Sequence, residues 1–233
     1  MKVVLLAGGL GTRLSEYTKI IPKPMVTIGK YPIIVHLIKF FQQYELNDFI
    51  IAAGYKKEIL INYFNKNNFD AQIKVIDTGK STMTGGRLLK LKKYLEKQTF
   101  LLTYGDGLSN VNINSLIKFH NKHKKIATVT AVRPPARFGN ITMRYNKVIN
   151  FQEKIQMNTG WINGGFFVLN SKFFKYLKND QTILEKQPLE KVAKDNQLFA
   201  YRHNGFWACM DTSRDKDHLE NLIRENKAFW NNE

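Results

Sequence analysis

The chain of 233 residues contains one cysteine, and its 19 acidic residues are outnumbered by 36 lysines and arginines. The lone cysteine, Cys209, excludes an internal disulfide and favours a reducing compartment, so we expect a cytoplasmic protein. No long uncharged apolar stretch is present, which argues against a transmembrane helix and a membrane partner. The short apolar run after Lys2 leads directly into a glycine-rich loop and does not resemble a secretory signal.

Several catalytic and binding motifs are also missing. The sequence has no Gly-x-Ser-x-Gly and no Cys-x-x-Cys, so serine hydrolysis and structural zinc are unsupported. No Lys-Ser or Lys-Thr follows the glycines of this glycine-rich loop, as a P-loop requires, and Leu14 stands where a dinucleotide fingerprint needs its third glycine. His120 and His123 share one face of a predicted helix without a third ligand, and we predict that both lie at the surface.

The formal net charge of +17 has three competing explanations, which are nucleic-acid binding, polyanionic small ligands and a lysine-rich composition. The lysines are scattered along the chain, and no zinc finger, basic zipper or RNA-binding motif is present. We therefore favour compositional bias first, phosphate ligands second and nucleic acid last, and we expect no nucleic-acid partner.

The hydropathy pattern predicts an α/β fold with a largely parallel sheet, because strand-like apolar runs alternate with helical periodicity. The predicted helices cover residues 33–44, 57–64, 87–95, 113–123 and 213–227. The predicted strands cover residues 3–6, 48–53, 73–76, 99–103 and 127–132, followed by shorter ones at 141–143, 147–153, 166–169 and 198–202. Ser213 is the predicted N-cap of the last helix.

The beginning of the chain is its most informative segment. The apolar run Val3–Leu6 predicts a buried strand, and the glycines of residues 7–12 let the backbone approach a ligand closely. Arg13 and the lysine of Pro-Lys-Pro, Lys23, place two cations beside this loop. The combination favours a polyphosphate site, with a tight strand-to-helix turn as the alternative.

Two acids follow apolar stretches. Ligands of open α/β sheets bind beyond the carboxyl ends of strands, where Asp106 would be a useful metal-binding carboxylate. Taken alone, Asp106 suits an Asx turn and Asp211 suits a cap for the last helix. Together they could hold one Mg²⁺, which takes one or two carboxylates plus phosphate oxygens.

Three further segments carry weaker signals. Lys154 ends a predicted strand and could be a point charge for a phosphate, although most lysines of this chain are merely solvated. Asn163 precedes two glycines in a loop that could reach sugar hydroxyls or form a plain turn. A second glycine-rich loop, residues 78–87, could contact a base or a second phosphate.

Several short motifs are spread along almost the whole chain, at 6–14, 22–25, 77–79, 83–87, 103–107, 151–154, 162–169 and 210–212. They resemble the bacterial sugar-phosphate nucleotidyltransferases. The runs at 81–87, 137–139, 163–169 and 205–207 are similar to the branch of that superfamily that acts on CTP and glucose 1-phosphate.

The resemblance implies a role for each segment. Arg13 and Lys23 would be catalytic and meet the triphosphate, and Asp106 and Asp211 would hold Mg²⁺. The sugar phosphate would be bound by Glu153, Lys154 and Asn163. The nucleotide site would be lined by Leu6, Ala7, Gly8, Gly9, Leu10, Gly11, Thr12, Arg13, Lys23, Thr82, Arg87 and Gly105.

The resemblance also implies a Rossmann-like α/β fold, with a mixed, mostly parallel sheet flanked by helices and a small sugar-binding β subregion. One domain would span 1–233, with a nucleotide-binding part over roughly 1–132, a sugar-phosphate part over roughly 133–212 and a C-terminal helix over 213–227. A homo-oligomer and a role in surface polysaccharide synthesis, such as that of O-antigen, would follow.

The implied reaction joins CTP and glucose 1-phosphate into CDP-glucose and pyrophosphate. Another nucleotide such as UTP or dTTP, another sugar phosphate, a nucleotide-sugar glycosyltransferase and a nucleic-acid-binding module are the alternatives. Three departures from the family pattern concern the sugar and the oligomer, one of which is that Arg133-Pro134-Pro135-Ala136 replaces a glycine-bearing turn. The chain is shorter between Phe64 and Val75, and Ile155 stands where proline is typical.

Overall fold

The computed structural model describes residues 1–133, 140–152 and 160–231. Its strands are β1 (Val3–Ala7), β2 (Thr27–Ile28), β3 (Tyr31–Pro32), β4 (Asp48–Ala53), β5 (Gln72–Asp77), β6 (Thr99–Tyr104), β7 (Gly107–Ser109), β8 (Ala127–Val132), β9 (Asn140–Arg144), β10 (Lys147–Gln152), β11 (Ile162–Asn170), β12 (Leu198–His203) and β13 (Trp207–Cys209). Its helices are α1 (Ser15–Thr18), α2 (Ile33–Gln42), α3 (Lys57–Lys66), α4 (Thr84–Lys90), α5 (Lys92–Leu95), α6 (Ile113–His123), α7 (Gln187–Lys194) and α8 (Ser213–Arg224).

Seven strands form one sheet in the order β12-β8-β11-β6-β1-β4-β5. β11 runs antiparallel to both of its neighbours, β6 and β8, and the other pairs are parallel. This topology confirms the predicted mixed, mostly parallel sheet. β8, β11 and β12 share the sheet across the expected boundary near residue 132, and the division into two functional parts stays a prediction.

Helices cover both faces of this sheet. Successive side chains of a strand point to opposite faces, so Val3 and Leu5 pack in one apolar cluster and Val4 in the other. α2, α6 and α8 contribute to the first cluster, and α4 and α7 contribute to the second. The strand ends are therefore the part of the sheet left for a ligand. Among the described residues, no helix is long and apolar enough to cross a membrane.

Most predicted elements are confirmed, and the strands over 48–53 and 127–132 agree to the residue. The helix predicted over 87–95 instead begins at Thr84 and divides at Leu91 into α4 and α5. Helix α7 was not predicted, because its amphipathic pattern spans only eight residues.

Two smaller predictions were wrong. The N-cap of α8 is Thr212 rather than Ser213, because Thr212 Oγ1 accepts from the amide of Asp215 while that aspartate accepts from the amide of Thr212. His120 is buried rather than on the surface, because α6 packs this face onto β8 and its Nδ1 meets Thr128 Oγ1 at 2.8 Å.

Candidate active site

The loop that follows β1 forms one wall of a cleft. β1 and its parallel neighbours β4 and β6 end at the same edge of the sheet, so the segments that follow them lie side by side. Gly11 has a left-handed backbone with φ of 66°, which favours glycine, and its carbonyl accepts from Thr18 Oγ1 at 3.0 Å. The loop therefore turns sharply and leaves the Arg13 side chain 71% exposed.

Backbone pairing brings Asp106 and Asp211 together. β7 directly follows Asp106, β13 ends two residues before Asp211, and these strands pair antiparallel with Gly107 opposite Cys209. The amide of Met210 also donates to the carbonyl of Asp106 at 2.9 Å. Two acids that are distant in sequence therefore lie on adjacent segments beside the cleft.

The ammonium of Lys23 contacts both carboxylates. Its Nζ donates to Asp106 Oδ2 and, at 2.6 Å, to Asp211 Oδ1. Arg13 Nη1 donates to Asp211 Oδ2 at 2.7 Å. Two cations and two anions predicted from the sequence thus form one unit, which we call the charged cluster (Arg13, Lys23, Asp106 and Asp211).

The charged cluster stabilises its own ionised state. Burial lowers the pKa of Lys23, but Asp106 and Asp211 outweigh burial and hold this pKa above its ordinary value. Burial raises the pKa of Asp211, but the hydrogen bond and charge of Lys23, with the charge of Arg13, outweigh burial and hold this pKa below its ordinary value. Lys23 and Asp211 therefore keep their charges on both sides of neutral pH.

The neighbouring thiol behaves differently. Burial, followed by the charges of Asp211 and Asp106, raises the pKa of Cys209 to about 12. The thiol is therefore protonated near neutral pH, and a protonated thiol is a poor nucleophile. This leaves electrostatics and positioning, rather than covalent catalysis by Cys209, as the chemistry that the cluster offers.

A cleft of about 490 Å³ opens beside the charged cluster, and its volume suits a small-molecule ligand. The predicted site residues that line it are Leu6, Ala7, Gly8, Gly9, Gly11, Thr12, Arg13, Lys23, Thr82, Arg87, Gly105, Asp106 and Asp211. Leu10 lies outside this lining and is 49% exposed. Glu153 and Lys154 lie outside the described residues.

Arg87 borders the cleft but is only 4% exposed. Its Nη1 donates to Thr78 Oγ1 and to the carbonyl of Gly79, both at 2.7 Å, and its Nη2 donates to the carbonyl of Gly8 at 2.8 Å. A Cβ on Gly8 would lie 2.1 Å from Nη1, so glycine is required for this approach. Arg87 therefore holds the loops after β1 and β5 together.

Another wall of the cleft consists of neutral hydrogen-bonded groups. Tyr104 and Trp207 line the cleft, and Asn163 Nδ2 donates to Tyr104 Oη at 3.2 Å. Trp207 Nε1 donates to the carbonyl of Gly164 at 2.7 Å. We call this part the hydrogen-bonded wall (Tyr104, Asn163 and Trp207). It places Asn163, the residue expected at the sugar, against a side chain of the cleft.

Sequence reasoning missed most of this wall and the residues behind it. Tyr104 donates to Glu185 Oε1 at 2.7 Å, and Thr84 Oγ1 donates to Glu185 Oε2 at 2.7 Å. The position of Tyr104 directly before Gly105 and Asp106 was a signal that could have identified it. Glu185 carries no local motif, since it lies in the turn before α7.

The family model described as nucleotidyl transferase matches residues 2–215. The chain is 45% identical to the glucose-1-phosphate cytidylyltransferase of Salmonella typhimurium and 44% identical to that of Salmonella typhi. Both alignments cover 99% of this chain and 98% of the relative. They extend over 253 positions against 233 residues here, so the relatives contain residues that this chain lacks.

A solved structure with the same fold is that of HddC from Yersinia pseudotuberculosis complexed with GMP-PN. It matches with a TM-score of 0.77 over 95% of this chain and 99% of that one, at 24% identity. Identity at this level bears on the fold alone. The family model and the full-length relatives match this chain in sequence as well as in fold. The chain therefore belongs to the nucleotidyl transferase family.

Proposed function

We propose that this protein transfers the cytidylyl group of CTP to a sugar 1-phosphate, α-D-glucose 1-phosphate, and releases CDP-glucose and pyrophosphate. The two relatives named glucose-1-phosphate cytidylyltransferase are 44–45% identical to this chain along nearly its full length. This identity supports the choice of nucleotide and sugar. The observation that carries the proposal is the charged cluster beside the glycine loop, because a triphosphate and a metal need those charges at that edge of the sheet.

The donor set of the cluster suits Mg²⁺. Asp106 and Asp211 both reach Lys23 Nζ, so their oxygens already converge on one cation. Among the described residues, no group of three His, Cys, Asp or Glu side chains could hold a metal ion. Two carboxylates plus phosphate oxygens are a usual Mg²⁺ site, and the bound metal would neutralise charge on the α-phosphate and the pyrophosphate.

The proposed reaction needs no strong base. An oxygen of the ionised sugar phosphate attacks the α-phosphorus of CTP, a new P–O bond forms, and the bond from the α-phosphorus to the bridging oxygen of pyrophosphate breaks. The nucleophile already carries negative charge, so the task is to align two anions and to stabilise the charge that develops. This agrees with a site made of fixed charges beside a protonated thiol.

Arg13 and Lys23 would have two partners in turn. Their charges are balanced by Asp106 and Asp211. When the nucleotide binds with Mg²⁺, the carboxylates would hold the metal and both side chains would be released to the phosphates. The exposed Arg13 can move at small cost, whereas the more buried Lys23 has less freedom to move.

The test is release of pyrophosphate with Mg²⁺ and glucose 1-phosphate, with CTP, UTP, dTTP and ATP compared in parallel. We expect turnover with CTP and little with the others. Turnover with UTP or dTTP alone would keep the reaction and replace the nucleotide. If no nucleotide is consumed, a panel of other sugar 1-phosphates follows, and failure of that panel contradicts the proposed reaction. The predicted homo-oligomer is tested separately by light scattering.

A further inference from the structure

Glu185 lies where two parts of the chain meet behind the cleft. The segment 180–185 packs on the start of α4, where the amide of Met83 donates to the carbonyl of Asp180 at 2.8 Å and that of Gly86 donates to Thr182 at 3.1 Å. A Cβ on Gly86 would lie 2.4 Å from the Asp180 carbonyl oxygen. The segment is therefore fixed against the loop 82–84, which lines the cleft.

Each carboxylate oxygen of Glu185 accepts one hydroxyl. Oε2 accepts from Thr84 Oγ1 at 2.7 Å, and the same Oγ1 accepts from the amide of Leu184 at 2.9 Å. Oε1 accepts from Tyr104 Oη, also at 2.7 Å. An ionised carboxylate can only accept, so both hydroxyl protons are directed at Glu185.

The second arm continues to Asn163. Tyr104 Oη accepts from Asn163 Nδ2 at 3.2 Å, and Asn163 Oδ1 accepts from the amide of Gly165 at 2.8 Å. The ring of Tyr104 leaves no room for a side chain at Gly165, where a Cβ would lie 2.7 Å away. One carboxylate thus holds the segment 82–84 on one side and, through Tyr104, the start of β11 on the other.

We propose that Glu185 is a positioning residue that couples the nucleotide and sugar-phosphate subsites. The inference rests on the proposed function, in which the loop 82–84 borders the nucleotide and Asn163 borders the sugar. A ligand that fixes either segment sets the orientation of the shared carboxylate and so prepares the other segment. Because allosteric coupling is reciprocal, each substrate then lowers the dissociation constant of the other.

The first test compares Glu185→Ala with Glu185→Gln in the pyrophosphate assay. Loss of two charge-assisted hydrogen bonds in Glu185→Ala should raise the KM for CTP and the KM for glucose 1-phosphate by about tenfold each, with kcat changed by less than about threefold. Glu185→Gln keeps one acceptor oxygen and should recover part of both KM values. Glu190→Gln, an exposed glutamate of α7, is the control and should match the parent.

The second test measures coupling by calorimetry, with α,β-methylene CTP as a nucleotide that cannot react. In the parent, saturating glucose 1-phosphate should tighten binding of this analogue about fivefold or more. In Glu185→Ala the affinity should be the same with and without the sugar phosphate. Thr84→Val, which removes one hydroxyl at similar size, should also weaken the coupling and decides the question if Glu185→Ala does not fold.

The outcomes separate this proposal from the proposed function. A parent that consumes no nucleotide contradicts the function. An active parent whose Glu185→Ala variant keeps both KM values and the coupling overturns the role of Glu185 alone. A folded variant that loses kcat with both KM values unchanged also overturns it, because positioning of two bound substrates predicts the opposite pattern.

Discussion

The charged cluster and the hydrogen-bonded wall face the same cleft but are built differently. In the cluster, Lys23 and Arg13 are ion-paired with two carboxylates. In the wall, Tyr104, Asn163 and Trp207 are neutral and are held by hydrogen bonds to Glu185 and to the backbone. In the proposed reaction the fixed charges would lie beside the phosphates, where charge develops, whereas the wall would face the uncharged sugar.

The difference predicts a division of labour. Variants in the charged cluster should lower kcat, because the interactions that they remove are strongest in the transition state. Variants in the hydrogen-bonded wall should raise KM, because their interactions are equal in the ground state and the transition state. Lys23→Ala and Trp207→Phe test whether the two parts are separable.

The largest effect is expected for Lys23→Ala. Removing one charge partner of the transition state should lower kcat by about 100-fold or more while the protein stays folded. Pyrophosphate release gives kcat, and circular dichroism reports the fold. Lys30→Ala, at an exposed lysine nearby, is the matched control. Near-normal turnover of Lys23→Ala would remove Lys23 from the mechanism.

Arg87→Ala tests how much the hydrogen bonds of Arg87 stabilise the fold around the loop beside the charged cluster. The substitution would leave carbonyls of Gly8 and Gly79 and the Thr78 hydroxyl without their buried partner. We expect a free energy of unfolding in urea lower by about 3 kcal/mol, with Arg87→Lys intermediate. Unchanged stability combined with lost CTP binding would instead make Arg87 a direct nucleotide ligand.

The buried His120 should make the stability of the fold sensitive to acid independently of the charged cluster. Burial, with the nearby His123, lowers the pKa of His120 to about 4. The unfolded chain therefore binds a proton below pH 6.5 that the folded chain refuses, so stability falls as pH falls from 6.5 towards 4. Urea unfolding should show a slope of about 1 kcal/mol per pH unit in this window.

The controls for this pH effect are two single variants. His120→Gln should reduce the slope. The remainder should come from His36, His123 and His203, whose pKa values burial also lowers. His218→Gln, at an exposed position, should leave the slope unchanged. If His120→Gln retains the slope, the acid sensitivity originates in other groups.

Trp207→Phe, in the hydrogen-bonded wall, should have the smallest effect. It tests whether a change in the wall alters KM rather than kcat. It keeps the ring in the cleft and removes the hydrogen bond to Gly164. We expect the KM for glucose 1-phosphate to rise about fivefold with kcat unchanged. Trp161→Phe, outside the cleft lining, is the control. A fall in kcat as large as that of Lys23→Ala would contradict the division of labour.

Local patterns predicted the sheet and the charged residues because both signals are contiguous in sequence. The buried strand β1 leads directly into its glycine loop, and Asp106 follows an apolar strand. The sequence did not indicate that Lys23 Nζ lies between Asp106 and Asp211, since this depends on the pairing of β7 with β13. Short strands of three residues carry almost no periodicity.

The hydrogen-bonded wall was harder to predict for a different reason. The three residues of the wall come from three distant segments, and each segment taken alone suits an ordinary turn or strand end. Arg87 shows the same limit. Its predicted nucleotide contact stays a prediction, and its motif did not indicate that the guanidinium would bind loop carbonyls and a threonine hydroxyl. Polar contacts between distant loops depend on the assembled fold rather than on local pattern.

The most direct test of the account follows the phosphorus atom of the sugar phosphate. The protein is incubated with Mg²⁺, CTP and glucose 1-phosphate labelled with ³²P, and the products are separated. Attack of the sugar phosphate on the α-phosphorus predicts that the label appears in CDP-glucose and that the released pyrophosphate is unlabelled. Label that remains in glucose 1-phosphate, or that appears as free phosphate without a nucleotide sugar, would contradict cytidylyl transfer.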